Sequence, residues 1–338
     1  MKLTVTYNNV EYDVVIEKNS LDKVNEYLDL NRKVLVVTDS LVPTIYSNKV
    51  LEHAKIGYLY IVESGETSKN LENYTKILSF LAEKEFSRSD CIVAVGGGVV
   101  GDLTGFVAST YMRGIDFYNV PTTLLAQVDS SIGGKTAIDY NGYKNIVGSF
   151  YPPTKVIIDP NTLITLDERQ LHSGLVEAIK MALTSNNELF ELIEKSKDLN
   201  EDLETIIVEA LKIKKDVVEI DPKEQGIRRI LNFGHTIGHA IESSGKFNDL
   251  LHGEAVGIGM LYFSSSNVKN RLLKVLEKYD LPTSVNIDDK ELIKFINLDK
   301  KRTGDLITIV KVTEPGSYIL DKIKLESMKE YLKGGCNA

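Results

Sequence analysis

Two cysteines in 338 residues leave no disulfide framework, and their usage predicts a reducing compartment. Cys91 lies in an apolar run and Cys336 stands near the end of the chain. No apolar stretch approaches the ~18 residues of a membrane-spanning helix, and the opening MKLTVTYNNVEYDVVIE lacks the apolar core of a secretion signal. Internal repeats and low-complexity tracts are absent as well. Positive charge is in deficit. With a formal net charge of -8 the chain as a whole repels nucleic acid and anionic membranes, so an anionic small molecule needs a local cluster of Lys and Arg. The expectation is a soluble, cytoplasmic protein with neither nucleic acid nor membrane as partner. Hydrophobic residues at 43% and charged residues at 26% are ordinary for globular folds, and the length suggests two domains.

Residues 3–7 and 11–16 alternate around an Asn-Asn turn and predict a hairpin. Short apolar strands follow at Lys33–Val37, Tyr58–Val62, Cys91–Val95 and Asp116–Val120, separated by amphipathic runs such as that from about Ser68 to Lys84. Strands alternating with helices predict an α/β domain with a parallel, Rossmann-like sheet. From about Asp167 the pattern becomes helical to roughly residue 280, with a short β piece near 306–312 and 317–319. The Pro152-Pro153 pair places the boundary, giving an α/β domain over 1–153 and a mostly helical one over 154–338.

Histidine is scarce, and three of the five lie between Arg228 and His252. His235 and His239 are four apart in a helical segment and share a face, while His252 opens a further apolar run after a Gly-Lys-x-Asn-Asp turn. Imidazoles with one carboxylate suit a zinc-type ion that keeps an open position, the remaining His handling protons. Spacing alone leaves open which His does which. Glu177, three residues from Lys180 in an apolar helix, is the candidate acid; the alternative is an exposed ion pair.

Gly96, Gly98 and Gly101 match G-x-G-x-x-G between a strand and a helix, the form of a dinucleotide turn. Against it, the motif follows the third strand rather than the first, and Asp102 in the first helical turn repels phosphate. Asp39, at the tip of the first α/β strand, can hold a ribose or cap a helix. Asp129 to Thr136 (DSSIGGKT) imitates a phosphate loop but carries Asp where a Walker loop needs Gly, and an Asn-Gly turn follows instead of a helix. What remains is a polar, glycine-rich ligand loop with Asp129, Lys135, Lys144 and Asn145. Lys214, Arg228, Asn232 and Lys300-Lys301 add groups able to hold phosphate and carboxylate.

The segments GGGVVGDLTGFVAS, YMRGI, VPTTLLAQVDSSIGGKTAID, YKNIVGSFYPP, GLVEAIK, LNFGHTIGHAIE and LHGEAVGIGM occur in the order seen in one family. On these segments the chain resembles the 3-dehydroquinate synthases, which are sugar-phosphate cyclases related to metal-dependent glycerol dehydrogenases. The resemblance implies an N-terminal NAD-binding domain and a helical metal-binding domain. It implies that Glu177, His235 and His252 hold a divalent ion, zinc or cobalt, leaving His239 catalytic. NAD contacts are implied for Asp39, for Ser64, Gly65, Glu66 and Lys69, and for Gly97, Gly98, Val99, Val100, Gly101 and Asp102. Thr122, Thr123, Lys135, Lys144, Thr162, Leu163 and Thr165 complete that set. Asp129, Lys135, Asn145, Lys180, Lys214, Arg228, Asn232, His239 and Lys300 would surround the substrate, and Arg113 would reach the neighbouring site of a homodimer. Two places depart from the family pattern: Asp167-Glu168-Arg169-Gln170 stands where Pro-x-Arg-Glu is frequent, and the segment ending in Lys300-Lys301 has lost a lysine.

The implied reaction turns 3-deoxy-D-arabino-heptulosonate 7-phosphate into 3-dehydroquinate and phosphate. It runs through transient oxidation, β-elimination, re-reduction, ring opening and aldol closure. The alternatives are another sugar-phosphate cyclase, a glycerol-type dehydrogenase, or an NAD-binding regulatory protein without activity.

Overall fold

The computed structural model describes residues 1–245, 249–296 and 306–334. Lys246 to Asn248 of the expected turn, the substrate candidate Lys300 with Lys301, and Cys336 lie outside the described residues. The chain divides into two compact units, Met1–Leu166 and Asp167–Ala338.

In the first unit, β1 (Lys2–Tyr7) and β2 (Val10–Ile16) form the N-terminal hairpin, with Asn8 and Asn9 at φ 46° and 66°. Asparagine tolerates that left-handed backbone, so the Asn-Asn pair sets a tight hairpin turn. Then come β3 (Lys33–Asp39), α1 (Thr44–Leu51), β4 (Ile56–Val62), α2 (Leu71–Glu83), β5 (Cys91–Gly96), α3 (Gly98–Thr110) and β6 (Asp116–Pro121). A separate antiparallel pair, β7 (Lys135–Tyr140) and β8 (Tyr143–Phe150), precedes β9 (Lys155–Ile158). The main sheet runs β1-β2-β9-β6-β5-β3-β4, parallel except for β1 against β2.

Both faces of this sheet are covered. Val34 and Val36 of β3 join Val93 and Val95 of β5 and Val50 of α1 in one core, while Leu35 and Val37 join Ile92, Ile77 and Leu103 in the other. Strands buried on both faces need apolar residues at every position, which is why they read as continuous runs.

Two sequence expectations change here. The division of the chain falls at 166/167, later than Pro152-Pro153, because β9 returns to the sheet between β2 and β6. The expected ligand loop is instead a π-helical turn (Ala126–Ser130) followed by the β7–β8 hairpin. Its Asn141-Gly142 turn has both residues at positive φ, 50° and 78°, the geometry of a two-residue hairpin.

The second unit contains α4 (Glu168–Ser185), α5 (Asn187–Lys195), α6 (Leu199–Ile220), α7 (His235–Ser243), α8 (His252–Tyr262), α9 (Ser266–Lys278) and α10 (Asp289–Ile296). The hairpin of β10 (Leu306–Lys311) and β11 (Ile319–Lys324), then α11 (Met328–Gly334), follow. Asp167 starts α4 by accepting from the Arg169 and Gln170 amides, so the departure from the family pattern at this position supplies a side-chain cap. From Ser173 to Thr184 every residue of α4 is buried, and α8 is buried from Gly253 to Leu261. Helices apolar all round belong to a core. Among the described residues no helix is long and apolar enough to cross a membrane.

Candidate functional site

Backbone contact brings α7 and α8 together. A Cβ on Gly259 would lie 2.0 Å from the Gly234 carbonyl oxygen, and one on Gly253 would lie 1.9 Å from that of Ser173 on α4. Only glycine permits such approach, and its consequence is that the helix ends carrying the histidines converge. The rings of His235 and His252 are 5.2 Å apart, those of His235 and His239 5.2 Å, and those of His239 and His252 5.9 Å.

Glu177 faces this cluster from α4. Its Oε1 lies 3.7 Å from His235 Nε2 and 3.5 Å from His252 Nε2. Its Oε2 accepts from Lys180 Nζ, and both side chains are 1% exposed, so the exposed-pair alternative does not apply. Buried Oε1 accepts no hydrogen bond among the described residues, and the two imidazoles are the groups that face it. Tetrahedral ligands at 2.0–2.1 Å from zinc stand about 3.4 Å from one another. The spacing of these three side chains therefore fits a divalent ion, and the orphaned oxygen points to where one would bind.

The outer hydrogen bonds suit that geometry. His235 Nδ1 lies 3.2 Å from the Phe233 carbonyl, which only accepts, so Nδ1 carries the proton and the Nε2 lone pair faces Glu177. His252 Nδ1 lies 3.5 Å from Glu242 Oε2. Burial and then the Lys180 charge hold His235 well below its usual range, so it stays neutral. Burial favours the protonated form of Glu177, but Lys180 first and the imidazoles next hold its carboxyl well below the ordinary range. Burial pulls His252 down, yet Glu177 and Glu242 outweigh it and lift it to about 9, a proton there supplying positive charge that the carboxylates demand. His239 is not in the Glu177 group; it shares a second set of ligating atoms with Glu242 and His252.

Cations are also buried in this unit. Lys214 on α6 is 4% exposed and Arg228 is 3% exposed, on a 3-10 turn (Ile227–Asn232) that packs against α4 and α6. Arg228 Nη1 donates to the Pro222 carbonyl at 2.6 Å, and Asn232 Nδ2 to Glu224 at 2.5 Å. Glu224 and Glu242 carry no mark in the sequence reading, although Glu242 stands seven residues after His235 on the same helical face.

In the first unit the strand order reverses between β3 and β5: β4 lies outside β3 on one side, and β5, β6 and β9 continue on the other. Open α/β sheets bind ligands outside the C-terminal ends of their strands at such a switch. Asp39 ends β3 and Gly96 ends β5, so the glycine turn follows the third α/β strand because that strand adjoins the first. Gly97 caps α3 without a side chain, leaving the first-turn amides for an anion. Asp102, the objection to phosphate, pairs with buried Lys69 at 3.2 Å, and Lys69 also pairs with Glu66 at 2.7 Å. Burial pushes the Asp102 carboxyl up to about 6, with Lys69 opposing, so its repulsion of an anion is weakened.

The other expected positions vary in character. Asp39 Oδ1 accepts from the Leu41 and Val42 amides in a turn, and it caps no helix, since α1 starts behind Pro43 without a side-chain cap. Ser64 N donates to Ser40 Oγ at 3.1 Å, and Gly65 has φ 101°. Gly98, Val99, Val100 and Gly101 form the first turn of α3, where Val100 is buried; Gly101 lies against Asn119. The Thr122 amide donates to the Gly96 carbonyl, and Thr123 Oγ1 accepts from Ala126 N. Thr162 Oγ1 donates to the Asp159 carbonyl and accepts from Gln127, Leu163 is 4% exposed, and Thr165 Oγ1 meets Tyr46. Asp129 lies in the π-helical turn, Lys135 starts β7, and Lys144 and Asn145 lie exposed on β8. Arg113 is exposed at φ 68° beside Met112 at φ 50°, a strained surface turn.

Known proteins share this architecture. A 2-deoxy-scyllo-inosose synthase solved with carbaglucose-6-phosphate, NAD+ and Co2+ superposes with TM-score 0.89 at 25% identity, over 99% of this chain and 100% of that one. A 2-epi-5-epi-valiolone synthase from Streptomyces hygroscopicus, with NAD+ and Zn2+ bound, gives 0.88 at 25% identity, over 97% and 98%. The fold thus places the chain in the class of the sugar-phosphate cyclases. Family profiles described as 3-dehydroquinate synthase N-terminal and C-terminal match residues 59–173 and 174–302. The 3-dehydroquinate synthase of Enterococcus faecalis is 43% identical over 352 residues, 98% of each chain. The chain belongs to the 3-dehydroquinate synthase family.

Proposed function

We propose that the protein is a 3-dehydroquinate synthase, a lyase of the shikimate route that converts 3-deoxy-D-arabino-heptulosonate 7-phosphate to 3-dehydroquinate and phosphate. The observation that carries this is the end-to-end match to curated synthases, 43% identity over 98% of both chains. When bound, NAD supplies a hydride acceptor and donor, and a divalent ion such as zinc or cobalt supplies Lewis acidity toward a hydroxyl under oxidation. Glu177, His235 and His252 would hold the ion; Asp39, the segment from Ser64 to Lys69 and the turn from Gly97 to Asp102 would hold the dinucleotide.

The remaining work falls to the chain's own groups. Lys214 and Arg228, both buried, hold the substrate carboxylate, for which an Arg fork is suited. That feature favours this substrate over carbaglucose-6-phosphate and its kind, which have no carboxylate. Lys135 and Asn145 hold the phosphate. His239 moves the proton of the C5 hydroxyl. Once C5 is a ketone, the C6 hydrogen is acidic and phosphate leaves by β-elimination, the phosphate itself serving as base. With the C5 hydroxyl restored, ring opening and aldol closure would require orientation more than additional groups. A cytoplasmic homodimer in which Arg113 serves the neighbouring copy completes the proposal.

The test is phosphate release from this substrate by purified protein, with and without NAD and a chelator, while NADH absorbance is followed. Release that needs both cofactors, with no NADH accumulating, is expected. NADH accumulating with glycerol and no phosphate released would place the protein among the dehydrogenases. Inactivity in both assays would leave a regulatory NAD-binding role.

A further inference from the structure

Helix α7 presents His235, His239 and Glu242 at i, i+4 and i+7, one face of one helix. Glu242 Oε2 lies 3.5 Å from His252 Nδ1, and Glu177 Oε1 lies 3.5 Å from His252 Nε2. One imidazole on α8 is therefore held at each of its two nitrogens by a carboxylate, one from α7 and one from α4. With a cation between Glu177 and Nε2 the imidazole is neutral, and its single N–H then lies at Nδ1, where Glu242 accepts it. At His235 a backbone carbonyl does this; at His252 the acceptor is charged and hence stronger. The Glu242 side chain is only 15% exposed, so water competes little for it.

We infer that Glu242 is a positioning residue: it fixes the tautomer and ring orientation in which His252 presents Nε2 beside Glu177, and so sets the affinity of the Glu177–His235–His252 group for a divalent cation. This rests on the reading of that group as a metal centre. Glu242 itself stays off the ion.

The test strips the full-length protein with a chelator and titrates it with Co2+ and with Zn2+ against a chromophoric competitor. Glu242→Ala, Glu242→Gln and His252→Ala are compared, and the melting of each apoprotein is recorded. Loss of such a partner weakens metal binding about 10–100-fold. Glu242→Ala is expected at the upper end of that range. Glu242→Gln, which keeps a neutral acceptor, is expected at the lower end, with altered cobalt absorption and an unchanged apoprotein melting temperature in both. Affinity in Glu242→Ala within threefold of the parent overturns the inference, as does an affinity loss that only follows a lowered apoprotein melt. His239, Glu242 and His252 also offer ligand atoms within 4.8 Å of one another. A second ion per chain that vanishes in Glu242→Gln would make Glu242 a ligand and overturn the positioning role. If His252→Ala binds metal as the parent does, the metal-centre reading fails rather than the role of Glu242.

Discussion

The contact between α4 and α8 at Gly253 gives the most direct test of how the histidine cluster is held. A Cβ at this position would lie 1.9 Å from the Ser173 carbonyl oxygen and 2.7 Å from its carbon. That obstacle is backbone in the buried stretch of α4 and cannot rotate away. Restoring an ordinary carbon–oxygen contact of about 3.3 Å from 1.9 Å moves α8 off α4 by about 1.4 Å. His252 precedes Gly253 and moves with it, and its 3.5 Å spacing to Glu177 is lost. Metal sites tolerate about 0.2 Å, so the displacement is several times what the centre accepts. Gly253→Ala should weaken Co2+ binding about 100-fold or more, beyond the loss of an outer partner. Overpacking should also cost about 1–3 kcal/mol, or about 2–12 °C of melting temperature for a body of this size. Chelator competition and thermal melting of the stripped protein measure the two effects. Gly142→Ala is the control: its φ of 78° strains the substitution, but nothing lies within 4 Å, so metal affinity should not change. A Gly253→Ala protein that binds Co2+ within threefold of the parent would refute the argument.

Lys180→Met leaves the Glu177 carboxylate buried with less compensation, which costs about 3 kcal/mol where a partner is removed from a buried pair. The stripped protein should melt roughly 6–12 °C lower, and added Zn2+ should restore more of this than it adds to the parent. Asp102 has a folded pKa of about 6 against 3.8 unfolded, so its contribution is fully present below 3.8 and lost as pH rises through about 6. Urea melts of Asp102→Asn should accordingly gain on the parent between pH 4 and 7, by at most about 3 kcal/mol; a constant difference would contradict the shift. Arg169 donates to both oxygens of Glu254 in the first turn of α8, but is 54% exposed. Its partner Glu254 is only 4% exposed and keeps just the Leu251 amide among the described residues, so Arg169→Ala should cost about 1–3 kcal/mol in a urea melt.

Local chemistry made much of the fold legible. The β3 and β5 runs are apolar throughout because each side chain is buried on one face or the other. The Asn8-Asn9 and Asn141-Gly142 pairs announce their hairpins through backbone geometry that few residues accept. β9 escaped because four residues after two prolines carry no period to read. The stretch from Asp129 to Asn145 read as a loop because its glycines imitate a phosphate loop. The antiparallel pairing of β7 with β8 is instead carried by alternation on either side of Asn141-Gly142.

The site divides in the same way. His235 and His239 declare themselves by helical spacing, and Glu177 by an acid in an apolar helix, because those signals lie within one element. The two features set against the glycine turn both depend on non-local structure. Its position after the third strand matters only through strand order, and a charge at Asp102 matters only through Lys69, which lies on a different segment. Glu242 is the sharpest case. Near the end of a helix a glutamate usually faces water, and within α7 only its place on the His235–His239 face says otherwise. Its meaning comes from His252 on the next helix, brought within 3.5 Å by glycines that read only as small residues until their contacts are seen. A candidate ligand can be noticed within its own element, whereas a group that would orient it shows only in the packing between elements.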